Sequence, residues 1–204
     1  MNSRRYLSYL DYTSLFRLVG DNESVMVRLK QRFLSPSYIH THWRLKCLYS
    51  LSKKSLIFKP FFLLCTLRYR QISIKFGIDI PPSTKIGKGF YIGHHGSIVI
   101  SGNAVIGDNC NISQGVTIGQ VNRGPRKGFP VLGNNVYVGP GAKIIGNVRI
   151  GDNVAIGANA VVTHDVPNNA VVVGVPSRII SYAGSVGYIN RTNYKTYEEW
   201  SEKR

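Results

Sequence analysis

Along the second half of this 204-residue chain, every sixth residue is aliphatic. Leu132, Val138, Ile144, Ile150, Ile156 and Val162 follow one another at intervals of six without a slip. Four residues after each of the first five stand Val136, Ala142, Val148, Val154 and Ala160, all small or β-branched. Glycine follows the aliphatic residue at Gly133, Gly139, Gly151 and Gly157. The same rule holds at Ile80, Ile86 and Ile92, and again at Ile100, Ile106, Ile112 and Ile118 after a shift of two residues. A helix of about 3.6 residues per turn scatters a period of six around its surface, so this is no amphipathic helix. Three short strands per turn stack every sixth residue on the inside of a triangular coil, which predicts a parallel β-helix of hexapeptide repeats. Gly107, Asn109, Asn134, Asn135 and Asn153 suit corners where positive φ is tolerated. At roughly eighteen residues per coil, Ile80 to Val175 makes about five coils.

The rest of the chain obeys other rules. Lys and Arg number 26 against 10 Asp and Glu, a net charge of +16. Residues 1–78 hold 14 basic and 3 acidic residues, whereas 79–204 hold 12 and 7. Of the 21 glycines, only Gly20 and Gly77 precede Asp79. Three parts are expected: a basic helical segment over 1–78, the coil over 79–178 with a protruding loop at 120–131, and a tail over 179–204. In the first, Asp21 is placed to cap a helix through Val25, Val27, Leu29 and Phe33, and Ser35-Pro36-Ser37 marks a break. Tyr38–Lys54 and Pro60–Ile74 read as further helices. Their basic face is either a solvated surface or one that approaches anionic lipid headgroups, with Phe58, Phe61 and Phe62 near Lys53, Lys54 and Lys59. No nucleic-acid-binding module is recognisable, and charge alone gives only non-specific binding. Thr196-Tyr197-Glu198-Glu199 reads as a capping box opening a short helix in the tail.

Composition excludes several classes. At 43% hydrophobic and 18% charged residues the chain can build a core, so wholesale disorder is out. Cys47, Cys65 and Cys110 stand far apart without a CxxC, which suits a reducing compartment, and Cys110 falls on an inward core position. Charge interrupts the first residues before a secretory apolar core can form. The most apolar stretch, Leu56–Leu67, is far short of the roughly 20 residues that span a bilayer. The expected location is the cytoplasm, at the inner face of the membrane. His40 and His42 are read as core or solvated helix residues.

Two places break the repeat: the dipeptide His94-His95 and the insertion Gln120–Val131. Breaks in a regular scaffold are where function tends to sit. Three stretches carry a resemblance: Asp79-Ile80-Pro81-Pro82 followed by Ile86-Gly87-Lys88-Gly89, with His94 fifteen residues after Asp79; Val138-Gly139-Pro140-Gly141-Ala142-Lys143-Ile144-Ile145-Gly146; and Gly174-Val175-Pro176-Ser177-Arg178-Ile179. In this order they resemble the hexapeptide-repeat acyltransferases, the left-handed β-helix enzymes, on the serine acetyltransferase branch. The resemblance implies a homotrimer with active sites between subunits, acetyl-CoA as donor and no required metal. It places a general base on His94 and an orienting carboxylate on Asp79. The chemistry wants such a pair: imidazole titrates near working pH, and a carboxylate on its other nitrogen fixes the tautomer and steadies the imidazolium.

The acceptor is read from departures. The serine-specific pattern places Asp directly before the base and Arg-His-Pro in the insertion. This chain has Gly93 and Gly128-Phe129-Pro130, and it ends in Lys203-Arg204 rather than isoleucine. A site built to pair with ammonium and carboxylate loses affinity without those partners. The surroundings Ile92-Gly93-His94-His95-Gly96 and Ile112-Ser113-Gln114-Gly115-Val116-Thr117-Ile118-Gly119 look more like enzymes that O-acetylate sugars of surface polysaccharides. The expected activity is therefore sugar O-acetylation, with serine O-acetylation of cysteine biosynthesis as the alternative and a lyase or non-catalytic coil behind both. Acceptor contacts are assigned to His95, Phe129, Arg123 and Arg126. Coenzyme A contacts are assigned by motif to Gly139, Pro140 and Ala158, with Lys143 and Arg178 for phosphate charge and the Gly119 amide for the oxyanion.

Overall fold

The computed structural model describes residues 4–20, 23–51 and 59–202. Four helices come first: α1 (Arg4–Val19), α2 (Val25–Leu34), α3 (Pro36–Leu51) and α4 (Lys59–Phe76). Ser24 caps α2, its side chain accepting the Val27 N–H at 3.3 Å; Asp21, expected in that role, lies outside the described residues. Proline opens α3, where its missing N–H costs nothing. α1 and α3 join through Leu7, Leu10 and Leu45, and α3 and α4 through Cys47, Cys65 and Tyr69.

Fifteen short strands follow among the described residues: β1 (Ile78–Asp79), β2 (Lys85–Ile86), β3 (Tyr91–Ile92), β4 (Ile98–Ile100), β5 (Val105–Ile106), β6 (Asn111–Ile112), β7 (Thr117–Gly119), β8 (Val131–Leu132), β9 (Tyr137–Val138), β10 (Lys143–Ile145), β11 (Arg149–Ile150), β12 (Ala155–Ile156), β13 (Val161–Val162), β14 (Val171–Val173) and β15 (Arg178–Ser181). They stack as three faces of a parallel β-helix. The first face is β1-β4-β7-β10-β13, the second β2-β5-β8-β11, and the third β3-β6-β9-β12-β14, which β15 extends antiparallel. The expected fold is the observed one. The aliphatic ladder from Leu132 to Val162 points inward, no member more than 3% exposed, and Cys110 is fully buried among them.

Register locates the two breaks. Ile100 pairs with Ile118 and Ile144 with Val162, rungs of eighteen residues. Tyr91 pairs with Asn111, a rung of twenty, so the two extra residues fall between β3 and β4, where His94 and His95 stand. Ile118 pairs with Ile144, a rung of twenty-six that holds the loop after β7.

At the corners, asparagine and glycine divide the work. Asn109, Asn135, Asn153 and Asn169 have φ of 55–61° and pass a side-chain amide from rung to rung at 3.0–3.2 Å. Gly107 and Asn134, expected at corners where positive φ is tolerated, do not adopt it. Asn134 instead accepts the Asp108 N–H at 2.9 Å. At Gly107 a β-carbon would lie 2.4 Å from the Gly133 carbonyl oxygen, so absence of a side chain lets the next rung approach.

The helices seat the first rung. Arg44 donates to the Thr84 carbonyl at 3.2 Å, Thr13 Oγ1 accepts the Gly89 N–H at 3.0 Å, and the Tyr69 hydroxyl donates to the Ile80 carbonyl. After β15 the chain returns down the third face: Ser185 Oγ donates to the Asn135 carbonyl at 2.6 Å, and Tyr188 stacks on Tyr137 at 4.4 Å between centroids. The tail ends in α5 (Tyr197–Ser201), opened by the expected capping box of Thr196 and Glu199, with Trp200 buried against Tyr9 and Tyr12.

Candidate active site

His94 lies on the turn from β3 to β4, the corner between the third and first faces. Both it and His95 are exposed, and the His95 ring meets Phe76 edge-on at 5.6 Å. Asp79 belongs to β1, whose partner on the first face is β4; Ile78 points inward and Asp79 outward. The Ile98 N–H closes this junction on the Gly77 carbonyl at 3.0 Å. The turn bearing His94 thus leads directly into the strand that pairs with Asp79. Among the described residues the two side chains share no hydrogen bond in the single chain. Among the described residues, side-chain hydrogen bonds are made by His42, 2.9 Å from Asp11, and by His40, 2.9 Å from the Tyr69 hydroxyl.

Above this turn the same corner repeats rung by rung. Gly115 N–H donates to the Gly96 carbonyl at 2.8 Å, Gly141 N–H to that of Gln114 at 2.9 Å, and Asn159 N–H to that of Pro140 at 2.8 Å. His94, Gly139, Pro140 and Ala158 therefore share one edge of the prism. Alongside it runs an outward row, Asp79, Val99, Thr117, Lys143 and Val161, in register across the first face. The Lys143 ammonium donates to the Gly115 carbonyl, which anchors its charge at this edge. Ala158 is exposed, but a β-carbon at Gly139 would stand 2.8 Å from the Ile156 carbonyl oxygen and 2.9 Å from the Ala158 nitrogen. Gly139 is thus required by packing on the next rung, whatever it does for a ligand. Thr117 and Gln114, given no role from the sequence, enter this neighbourhood; each stands twenty-six residues before its neighbour, Lys143 or Pro140, so the insertion breaks the six-residue phase between them.

The other assigned residues lie elsewhere. Gly119 ends β7 at the far edge of the first face, beside Ile145, and the loop leaves from there. That loop closes on itself through reciprocal Val121–Gly128 backbone bonds of 3.0 and 3.1 Å. Arg126 holds it to its own coil, donating to Asp165 at 3.2 Å and to the Asn147 carbonyl at 3.4 Å. Arg123 is exposed at the tip and Phe129 half-buried at the base. Arg178, by contrast, returns to the edge that carries Ala158: it opens β15, exposed and paired with Val173, and the Ser177 N–H before it donates to the Val161 carbonyl at 3.0 Å.

A cavity of about 600 Å³ is remote from this edge. It lies in the helical segment, lined by Arg4, Leu7, Asp11, His42, Leu45 and Phe61. Asp11 accepts from Tyr38 at 2.8 Å as well as facing His42, so this carboxylate ties α1 to α3. Phe58, Lys53 and Lys54, expected at a lipid-facing surface, lie outside the described residues, and so do Lys203 and Arg204.

Comparison with known proteins agrees with this architecture. Residues 129–164 match the family described as Bacterial transferase hexapeptide (six repeats). A serine acetyltransferase of Synechococcus elongatus is 47% identical over 108 residues, 53% of this chain and 44% of that protein. One of Staphylococcus aureus is 46% identical over 115 residues, 56% of this chain and 54% of the relative. The match thus spans about half the length of these curated relatives. Among solved structures, the Neisseria gonorrhoeae serine acetyltransferase in complex with serine superposes with a TM-score of 0.70 at 26% identity, covering 88% of this chain and 71% of that one. The Brucella abortus serine acetyltransferase in complex with coenzyme A gives 0.72 at 27% identity, covering 89% and 70%. The coil resembles that of these serine acetyltransferases, and its residues 129–164 carry the six-repeat hexapeptide pattern. The likeness to sugar O-acetyltransferases of surface polysaccharides is overturned, since these relatives and structural neighbours are serine acetyltransferases. That expectation rested on Gly93, Gly128-Phe129, the Lys203-Arg204 ending and the look of the stretches at 92–96 and 112–119, and the loss of particular partners does not define which acceptor replaces them.

Proposed function

We propose that this chain is a serine O-acetyltransferase that uses acetyl-CoA. The observation that carries the reading is near-half identity to serine acetyltransferases over more than half of the chain. In the proposed reaction His94 takes the proton of the serine hydroxyl as its oxygen attacks the thioester carbon. Asp79 orients the imidazole and steadies its positive charge. Collapse of the tetrahedral intermediate breaks the C–S bond, and the departing thiolate of coenzyme A takes the proton back. No acyl-enzyme is required.

The arrangement suits both substrates. The two extra residues of the second rung lift His94 and His95 out of the coil into solvent, where a hydroxyl can reach an imidazole nitrogen. Small residues along the edge above, Gly115, Gly141 and Ala158, leave room for a pantetheine arm beside backbone amides, with Lys143 and Arg178 for phosphate charge. Exposure of His94 on a single coil is consistent with a homotrimer in which a neighbouring coil completes each site. With Gly93 and Phe129 in place of the serine-specific groups, Arg123 and His95 are the exposed candidates to meet the serine carboxylate. Arg126 is already engaged by Asp165.

Thiol release from acetyl-CoA, followed with serine and with free and lipid-linked oligosaccharides, tests the acceptor. The reading expects saturable release with serine and background release with the glycans. Background release with serine would overturn it.

A further inference from the structure

Helix α2 buries none of its residues. Val25, Met26, Phe33 and Leu34 are 65–75% exposed. At about 100° per residue, Val25, Leu29, Phe33 and Met26 fall within one arc of about 100°, bounded by Arg32 on one side and Lys30 on the other. α4 repeats the construction: Leu63, Leu67 and Ile74 form an outward stripe, 52–73% exposed, with Arg70 on one flank and Arg68 and Lys75 on the other. Between Ser24 and Ile78 the chain carries eleven Lys and Arg and no Asp or Glu.

Those features together select the occupant. Large apolar side chains left together in water and rimmed by charge mark an interaction surface. A second copy of the same surface would set cation against cation, with no carboxylate in the segment to pair with them. A nucleic acid would answer the charge and leave the stripe in water. An anionic bilayer answers both, because apolar side chains enter the headgroup–acyl boundary while flanking Lys and Arg reach lipid phosphates. We propose that α2 and the outward stripe of α4 form a docking surface for anionic membranes. The surface is peripheral, since no described helix is long and apolar enough to cross a bilayer. Phe61, placed near lipid from the sequence, is exposed and lines the helical cavity. This inference stands on charge and exposure alone and does not depend on the acceptor.

Sedimentation of the full chain with vesicles tests it, comparing phosphatidylglycerol mixed into phosphatidylcholine with phosphatidylcholine alone. Binding should be at least about tenfold stronger to the anionic vesicles and should weaken as salt rises. The double variant Leu29→Ser, Phe33→Ser should lose about tenfold in partitioning, and so should Lys30→Glu, Arg32→Glu. Both pairs are exposed, so helical circular dichroism should be unchanged in either variant. Equal or absent binding to the two vesicle types would overturn the proposal. So would wild-type binding by either variant, or sedimentation velocity showing that the variants only dissolve a larger self-assembly.

Discussion

Two histidines of similar sequence setting differ completely in the folded chain. His42 faces Asp11 at a cavity, whereas His40 is fully buried between α3, α4 and the coil entrance. Burial, reinforced by the neighbouring Arg44 cation, lowers the His40 pKa to about 3. In the unfolded chain the same group titrates near 6.5. Below pH 6.5 the unfolded state therefore binds a proton that the folded state refuses, and stability falls as pH drops from 6.5 toward 3. The limiting slope is about 1.4 kcal/mol per pH unit for one proton. Urea midpoints should be lower at pH 5 than at pH 7, and His40→Gln should flatten that difference. An unchanged slope in the variant would show that His40 is not the group responsible. None of this was legible in the sequence. Arg44 lies one helical turn away on α3, but Tyr69 comes from α4, twenty-nine residues on, and helix periodicity says nothing about which turn a second helix and the coil will cover.

Among the elements, the coil was the most legible, because its signal is local and repeats. A strand of two or three residues has little propensity of its own, but the same phase recurring at intervals of six specifies an inside and an outside many times over. The breaks were legible for the same reason: a regular ladder makes a two-residue excess at His94-His95 visible. What was misjudged is the work of individual corners. Gly107 was read as suiting a corner for its tolerance of positive φ, yet what requires it is a backbone carbonyl across the rung that a side chain would strike. Gly107→Ala should destabilise by about 1–3 kcal/mol, toward the upper end because backbone cannot rotate away. Gly102→Ala is the control, since a β-carbon there would meet only Pro81 and Ser83 side-chain atoms at 3.5 Å or more. Thermal melts that place the two variants together would refute this account of the corners. The pinning of the loop by Arg126 on Asp165 escaped sequence reading, since nothing in the insertion names a partner thirty-nine residues away.

For the whole molecule, the helices and the returning tail form a clamp on the coil. α1 receives the tail through Tyr9, whose hydroxyl donates to the Lys195 carbonyl at 3.0 Å, and through Trp200. The positive charge concentrates on this clamp rather than on the edge that carries His94, so the proposed membrane surface and the proposed reaction site lie on different parts of the chain. The acceptor was the part of the function least legible in the sequence. A zwitterion can be held by any suitably placed cation and carboxylate, including groups from a neighbouring coil, so Gly93 and Phe129 could not decide it. The His94–Asp79 assignment is the centre of the account. Its direct test is the rate of O-acetylserine formation from acetyl-CoA and serine, measured by mass spectrometry for wild type and His94→Ala at matched folding. The account predicts O-acetylserine from the wild type and a kcat lower by about 100-fold or more in the variant. Wild-type turnover in His94→Ala, or no O-acetylserine from the wild-type chain, would contradict it.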